Sequence, residues 1–167
     1  MKKHMPIKLF ILVEISVVAF ILATTGNLPE NIASHFNGSG LPNGFMSQKG
    51  YLIFMLVFVL GIPSVVVGGI SAALRIAQSS INIPNKNFWL APERKQETIQ
   101  YLTGHVAWLG CMFSIFIAYV HWLLIKANSV QPAQLSNSHL FLGIGALLLS
   151  IVLWGSLLSL KFMRVPK

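Results

Sequence analysis

Four long apolar segments dominate the hydrophobic pattern of this chain. They cover residues 9–24, 51–74, 101–125 and 140–160. Their apolar positions are continuous rather than alternating, which favours helices over the strands of a β-barrel. A bilayer core of about 30 Å requires roughly 20 apolar residues in a helix, and three of the segments reach that length. The first segment is shorter, but Lys8 can snorkel and Thr25–Gly26 can extend it.

The pattern therefore predicts an all-α membrane protein, with residues 1–167 forming a single transmembrane domain. We expect an up-down bundle of four transmembrane helices, at about 8–26, 51–75, 101–125 and 140–161, with outer loops 27–50 and 126–139 and a cytoplasmic loop 76–100. An alternative for the first segment is a secretory signal peptide. Glu14 inside its core and the lack of a clean small-residue cleavage site favour a retained helix.

Composition and charge narrow the class of protein further. Only 10% of the residues are charged and the mean hydropathy is +0.70, whereas soluble domains carry about 25% charge. Ten of the twelve basic residues lie on one predicted side: Lys2, Lys3, Lys8, Arg75, Lys86, Arg94, Lys95, Lys161, Arg164 and Lys167. Only Lys49 and Lys126 lie on the other. This distribution predicts a multi-pass protein of a bacterial inner membrane with both termini cytoplasmic. It makes the lipid bilayer, and not nucleic acid, the expected partner of the basic side.

The first outer loop has turn residues at unusual density. Pro29 suits the first position of a short helix and Glu30 its first turn, so we expect a helix ending near His35 or Phe36. Asn37 and Gly38 are then suited to a left-handed helix cap. Further on, Pro42, Asn43 and Gly44 form a typical turn sequence. The loop is thus predicted to be structured as a short helix, a cap and a turn.

The same loop resembles a bacterial membrane family of unknown function, found at the amino end of SdpI-type immunity proteins. The shared motif is LPxxIxxHFNxxGxPNG, which starts at Leu28. The resemblance implies a role in protecting the producing cell from a secreted, membrane-active peptide and in relaying its presence to a cytoplasmic repressor. It also implies an outer-loop site in which three residues make contact and four others set the backbone geometry: His35, Phe36 and Asn37, with Gly40, Pro42, Asn43 and Gly44.

Glu14 is the strongest single candidate for a functional residue inside an apolar segment. A central charge costs about 2.5–3.5 kcal/mol on insertion scales and usually faces the interior with a partner. Counting along the predicted helices places His105 at a similar depth, with Ser71 and Ser156 in the same layer. We therefore predict an intramembrane polar cluster of Glu14, His105 and a serine. It is either a proton or ligand site or a structural clip.

Two other groups of residues are weaker candidates. His35, His121 and His139 all fall on the predicted outer side, but their spacing carries no metal-ligand motif, so no metal or other cofactor is predicted. The cytoplasmic loop contains Pro92 and Glu93, which suit a helix start. It is either an interfacial segment that leads into the third helix or a docking segment for a cytoplasmic partner, with five candidate residues: Asn85, Trp89, Pro92, Glu93 and Arg94.

The sequence contains no catalytic triad, paired catalytic carboxylates or phosphate loop, and we expect no enzyme activity. The leading functional hypothesis is binding, sensing or immunity at the outer face, with a protein or peptide partner there or laterally in the membrane. An alternative is an accessory subunit of a larger membrane complex. A second alternative is a small proton-linked transporter that uses Glu14.

Overall fold

The computed structural model describes residues 5–165, which form helices and one small sheet. In chain order these are α1 (Met5–Thr25), β1 (Asn31–Phe36), β2 (Pro42–Ser47), α2 (Gln48–Ile76), a 3-10 turn (Gln78–Ser80), α3 (Lys86–Trp89), α4 (Pro92–Asn128) and α5 (Asn137–Met163). Among the residues used to predict orientation, Lys2, Lys3 and Lys167 lie outside the described range.

Four helices, α1, α2, α4 and α5, are long and apolar enough to cross a membrane. The prediction of an all-α membrane protein is confirmed. The largest difference in bounds is at α4, which begins at Pro92 rather than at residue 101. Pro92 occupies the start of the helix and Glu93 its first turn, as predicted from the fixed φ of proline and the helix dipole. With 37 residues, α4 is about 55 Å long and extends beyond a bilayer core.

Helix α4 is central, because α1, α2 and α5 all pack against it. In the contacts between α1 and α4, the residue numbers increase along both helices, from Glu14–Ser114 to Thr24–His121, so the two helices run parallel. In the contacts of α2 and α5 with α4, the residue numbers increase along one helix as they decrease along the other, so both helices run antiparallel to α4. The bundle therefore has a hairpin end, where α1 and α4 finish and α2 and α5 begin, and an opposite end that carries α3.

The loop between α1 and α2 is folded, but its predicted short helix is wrong. Residues 31–36 form β1, which pairs antiparallel with β2, with Ile32 opposite Met46 and Ala33 opposite Phe45. Ile32 and Ala33 are buried. Strand pairing replaces helix here because it satisfies the backbone of this stretch and places its apolar residues on the end of the bundle.

The predicted turn at Pro42, Asn43 and Gly44 is also wrong, since these residues lie within β2. The chain reverses between Asn37 and Leu41, where the Asn37 backbone N–H donates to the Leu41 carbonyl oxygen at 2.9 Å. Asn37 therefore starts a hairpin turn and not a helix cap. The residue with left-handed backbone in this turn is Gly40, with φ of 77°.

The core forms three clusters along the bundle. The cluster at the hairpin end joins β1 to α1, α2 and α4; it contains Val17, Ile21, Leu28, Ile32, Tyr51, Met55, Val59, Ile117 and Leu124. A middle cluster centres on Phe10, Val67 and Ala107, and the opposite end closes around Trp89 and Phe162. Within α5, which is described in full, Phe162 is the only buried residue. The remaining apolar surface of α5 is exposed and suited to contact with lipid.

Candidate functional site

The hairpin is fixed to the bundle by the side chain of Asn128, in the last turn of α4. The Ala33 backbone N–H donates to Asn128 Oδ1 at 2.9 Å, and Asn128 Nδ2 donates to the Ala33 carbonyl oxygen at 3.0 Å. A second bond from Nδ2 reaches the Leu124 carbonyl oxygen at 3.0 Å. The carboxamide thus occupies the place that a third strand would take and closes the outer edge of β1, which limits unwanted strand pairing there.

Gln48, the first residue of α2, ties the other strand to the end of α1. Its backbone N–H donates to the Glu30 carbonyl oxygen at 2.9 Å. Its side-chain Nε2 donates to the Leu28 carbonyl oxygen at 2.6 Å. Ser47 caps the same helix by accepting from the Gly50 backbone N–H at 3.1 Å. The entry and exit of the hairpin are therefore held together at the helix ends.

The turn of the hairpin packs on the segment that leads into α5. The Leu135 backbone N–H donates to the Gly40 carbonyl oxygen at 2.9 Å, and Asn137 Nδ2 donates to the Gly38 carbonyl oxygen at 2.8 Å. A Cβ on Gly40 would collide with the Leu135 carbonyl oxygen. Gly40 is thus required both by its positive φ and by this close approach.

Asn37, a predicted contact residue, and Gly44, which was predicted to set the backbone geometry, both have structural roles. Asn37 Oδ1 accepts from the backbone N–H groups of Ser39 and Leu41, at 2.9 and 3.1 Å, which builds the turn. Gly44 lies opposite His35, and a Cβ at Gly44 would stand 3.0 Å from the His35 Cβ and 3.1 Å from its Cδ2. The absent side chain of Gly44 is what lets the imidazole lie across β2.

The hairpin still presents side chains to its surroundings. His35 and Asn43 are exposed, while Phe36 and Pro42, a cross-strand pair, are partly buried. Two large apolar side chains are also exposed, Leu41 at 46% and Phe45 at 56%. Phe45 therefore presents an aromatic ring to the surroundings of a hairpin that is fixed to the bundle. We call Leu41, His35, Asn43 and Phe45 the hairpin surface.

Beneath the hairpin, His121 forms a buried hydrogen-bond chain with Tyr51 and Thr24. The Tyr51 hydroxyl lies 2.7 Å from Nδ1 and the Thr24 hydroxyl 2.8 Å from Nε2. The single Thr24 hydrogen goes to the Phe20 carbonyl oxygen at 2.7 Å. Nε2 must therefore carry the ring hydrogen and donate to Thr24, and Tyr51 donates to Nδ1. Every member of the chain is satisfied, so it joins α1, α2 and α4 below the hairpin.

The weak metal candidates do not come together. Both ring nitrogens of His121 are used inside the protein, and His139 Nδ1 lies 2.6 Å from the Ser136 hydroxyl. His35 lies on the exposed hairpin surface. Within residues 5–165, no group of three or more His, Cys, Asp or Glu side chains is placed to hold a metal ion.

Glu14 is buried, but its predicted partner is wrong. Glu14 Oε1 accepts a hydrogen bond from the Ser114 hydroxyl, which also lies 3.0 Å from the Gly110 carbonyl oxygen. His105 faces α5 instead, with Nε2 at 3.0 Å from the Trp154 carbonyl oxygen. The predicted cluster is thus two separate sites, one on each side of α4.

The predicted serines do not join either site. Ser156 is exposed on α5. Within the described residues, the buried polar atoms without a hydrogen-bond partner are Glu14 Oε2 and the hydroxyls of Ser71 and Thr103. One carboxyl oxygen of Glu14 therefore points into the protein interior without a donor.

The residues that sequence reasoning missed, Ser114 and Asn128, lie on one face of α4. This seam, defined as Thr103, Ala107, Gly110, Ser114, Ile117, His121, Leu124 and Asn128, has alternating spacings of four and three residues. All of its members are buried except Asn128, which is partly buried. Small and polar residues at such a spacing favour close helix contact in a membrane. That periodicity was the available signal for both missed residues.

The candidate residues of the loop between α2 and α4 form a platform under α5. Asn85 Nδ2 donates to the carbonyl oxygens of Phe162 and Met163, both at 3.0 Å. Trp89 Nε1 donates to the Phe162 carbonyl oxygen at 3.0 Å, and the Thr98 hydroxyl donates to the Trp89 carbonyl oxygen at 2.7 Å. The bonds from Asn85 and Trp89 satisfy backbone acceptors at the end of α5, which has no further helical turn to satisfy them, and the bond from Thr98 satisfies the end of α3.

The platform also carries the other three candidates of this loop. Pro92 and Glu93 begin α4 beside it, and the Arg94 guanidinium lies over the Phe88 ring at 4.1 Å. All five candidates of the loop therefore lie within or next to one structural unit.

Comparison with known proteins places one part of the chain. Residues 11–61 match a domain of unknown function, DUF1648. The matched segment comprises most of α1, the whole hairpin and the first half of α2. No curated protein and no solved structure matches the chain. The residues that seat the hairpin, Asn128, Leu135 and Asn137, lie outside the matched segment.

Proposed function

We propose that the hairpin surface binds a peptide or protein ligand at the outer face of a bacterial inner membrane, in a sensing or immunity-like role without catalysis. In this proposal both termini are cytoplasmic and the hairpin end faces outward. The strongly basic opposite end supports that orientation: among described residues it holds Lys8, Arg75, Lys86, Arg94, Lys95, Lys161 and Arg164. Among residues 5–165, the basic residues at the hairpin end are Lys49 and Lys126.

The observation that carries the proposal is the exposed Phe45 on a rigidly seated strand. The backbone of the hairpin is held by Asn128, Gln48 and Leu135, so its surface is preorganised and loses little entropy on binding. Phe45 supplies apolar area, and Asn43, two residues before it on β2, supplies a polar group on the same face of the strand. The exposed His35 lies over Gly44 and adds a second polar group to the hairpin.

Site-specific photo-crosslinking in intact cells tests this function. A benzophenone amino acid is placed at Phe45, at Val57 on the exposed face of α2, or at Leu148 on the exposed face of α5. We expect a discrete peptide or protein adduct at Phe45 and only lipid adducts at Val57. Only lipid adducts at Phe45 contradict the proposal, and a stoichiometric protein adduct at Leu148 alone favours an accessory subunit instead.

Growth of a deletion strain gives an independent readout. If the role is immunity-like, cells lacking the protein are more sensitive to spent medium from a culture of the same strain. Complementation with wild-type protein restores growth, and complementation with a Phe45→Ser variant does not. Full rescue by Phe45→Ser, at equal protein level in the membrane, contradicts the assignment of the hairpin surface.

A second candidate function, proton-linked transport through Glu14, is favoured by one specific observation. The Ser114 hydroxyl has one hydrogen but two acceptors in reach, Glu14 Oε1 and the Gly110 carbonyl oxygen. A protonated Glu14 donates to Ser114, whose own hydrogen is then free for Gly110, and both bonds form at once. Glu14 Oε2 is also buried, and it has no hydrogen-bond partner among the described residues.

Proton flux into liposomes that contain the purified protein tests this second function. A pH-sensitive dye inside the vesicles reports uptake under an imposed membrane potential. We expect Glu14→Gln, which keeps a hydrogen-bonding partner for Ser114, to remove the flux while the protein stays folded. The matched control is Glu30→Gln, an exposed acid outside the helices, which should keep it. Flux no greater than in protein-free vesicles excludes the function.

A further inference from the structure

The opposite end of the bundle carries a cluster of aromatic rings that the hairpin function does not use. We define this aromatic shelf as Phe88, Trp89, Tyr101 and Phe162. Its ring centroids are separated by 5.1 Å for Phe88–Trp89, 5.4 Å for Trp89–Phe162 and 5.9 Å for Tyr101–Phe162. Each of these contacts is edge to face, a favourable geometry for aromatic pairs.

Two cations lie on the shelf. Lys161 Nζ lies 5.0 Å from the Trp89 ring centroid and 5.5 Å from that of Tyr101. The Arg94 guanidinium lies 4.1 Å from the Phe88 centroid. Because Phe88 and Trp89 are in contact, the two cations lie over adjoining rings of the shelf. Cation–π contact orients the charged groups without consuming their N–H donors, which remain available to an anion.

The shelf is held rigidly. Trp89 is 9% exposed, and its indole N–H donates to the Phe162 carbonyl oxygen at 3.0 Å. Asn85 and Thr98 bind the backbone at either side of it. The cations are therefore presented on fixed rings and not on a mobile loop, which is the condition for a preorganised site.

Lys161 also stands at the head of an apolar track on α5. Leu149, Leu153 and Leu157 precede it at four-residue intervals, and all three are exposed, at 60%, 55% and 62%. Residues four apart lie on the same face of a helix. A positively charged group at the end of an exposed apolar track, at the level where a membrane helix ends, matches the layout of a phospholipid with its phosphate above its acyl chain.

The charge at this end favours an anionic ligand. Seven basic residues are described there, against two acids, Glu93 and Glu97. Glu97 lies one helical turn before Tyr101, whose ring centroid is 5.5 Å from Lys161 Nζ, so its negative charge opposes anion binding on this part of the shelf. In the part of the chain that the structure describes, the hairpin end has a single comparable pair, Lys126 over Trp122 at 6.0 Å, without a second cation on an adjoining ring.

We propose that Lys161 and Arg94 bind the phosphate of an anionic membrane phospholipid, whose acyl chain lies along Leu157 and Leu153 of α5. This site is separate from the hairpin surface and does not depend on what the hairpin binds. It would anchor the end of α5, which is otherwise joined to the bundle at this end through Phe162 and the platform.

Native mass spectrometry of the detergent-solubilised full chain tests the site. Phosphatidylglycerol or phosphatidylcholine is titrated into the protein, and the lipid-bound fraction is measured. We expect preferential binding of phosphatidylglycerol. Lys161→Gln and Arg94→Gln should each lower the affinity for phosphatidylglycerol about fivefold, since a basic residue near anionic lipid contributes about 1 kcal/mol. Lys126→Gln, which removes the single lysine–tryptophan pair at the hairpin end, is the matched control and should change it less than twofold.

Two further measurements keep the proposal open to refutation. Glu97→Gln should raise the affinity for phosphatidylglycerol, which no loss of folding can imitate. Excess inorganic phosphate should leave the lipid bound, because the acyl chain contributes to binding. Equal binding of the two lipids, equal losses in Lys161→Gln and Lys126→Gln, or complete displacement by inorganic phosphate would each overturn the assignment.

Discussion

Replacing Asn128 with alanine should release the hairpin from the bundle. The substitution removes both hydrogen bonds to Ala33, whose residue exposure is 1%. A buried backbone group left without a partner costs about 1–3 kcal/mol. Two such groups give a range of about 2–6 kcal/mol. We expect a loss of about 2–4 kcal/mol, the lower part of that range, because Ala33 lies at the end of the bundle where water can replace part of the lost contact.

The assay is unfolding of the purified protein in mixed micelles, with hydrogen exchange of the β1 amides as a local readout. The matched control is Ser129→Ala, whose hydroxyl is exposed and donates only within its own helix, to the Ile125 carbonyl oxygen at 2.7 Å. We expect this control to change the free energy of unfolding by less than about 0.5 kcal/mol.

Two results would refute the reasoning. The first is a free energy of unfolding for Asn128→Ala equal to that of Ser129→Ala. The second is a loss of stability while Ala33 and its neighbours keep their protection from exchange, since the defect would then lie in α4 and not at the strand edge. Either outcome means that Asn128 does not seat the hairpin.

Three further substitutions have expected outcomes that can be measured by thermal unfolding in detergent. Tyr51→Phe leaves His121 Nδ1 buried without a donor and should cost about 1–2 kcal/mol. Gly110→Ala places a Cβ 2.8 Å from Cε2 of Phe10 and should cost about 1–3 kcal/mol through overpacking. Gly40→Ala forces a side chain onto a residue with φ of 77° and should cost about 1–2 kcal/mol, with loss of β1 protection.

Each of these substitutions has a matched control in the chain. Tyr119→Phe removes an exposed hydroxyl that donates to the His139 carbonyl oxygen and should have little effect. Gly61→Ala and Gly38→Ala add a Cβ with no atom within 4 Å and without positive φ, and neither should destabilise the protein by more than about 0.5 kcal/mol. If a control variant lost as much stability as the variant with which it is paired, the stabilising role of the corresponding contact would be contradicted.

The sequence alone determined the number and approximate position of the four long helices. Apolar continuity is a local property, and in lipid a continuous apolar segment has few ways to satisfy its backbone other than a helix. The start of α4 at Pro92 was likewise readable from one residue, because proline lacks the N–H that a first helical turn leaves unpaired. These features depend on near neighbours in the chain.

The hydrogen-bond partners of the buried polar side chains were decided by tertiary structure. Counting residues from helix ends estimates depth but not rotation about the helix axis. His105 and Ser114 are nine residues apart on α4, which is roughly half a turn around the helix and about 13 Å along it. Glu14 therefore meets Ser114 while His105 faces Trp154. The spacing of the α4 seam carried the rotational information that depth counting lacks.

The hairpin was decided by tertiary structure as well. Its local sequence has a proline and an acid placed for a short helix, and that preference lost to strand pairing. The partner that closes β1, Asn128, is 95 residues away from Ala33 in the chain. A strand is stabilised by hydrogen bonds to residues that its own sequence does not specify, whereas a helix closes its hydrogen bonds within four residues.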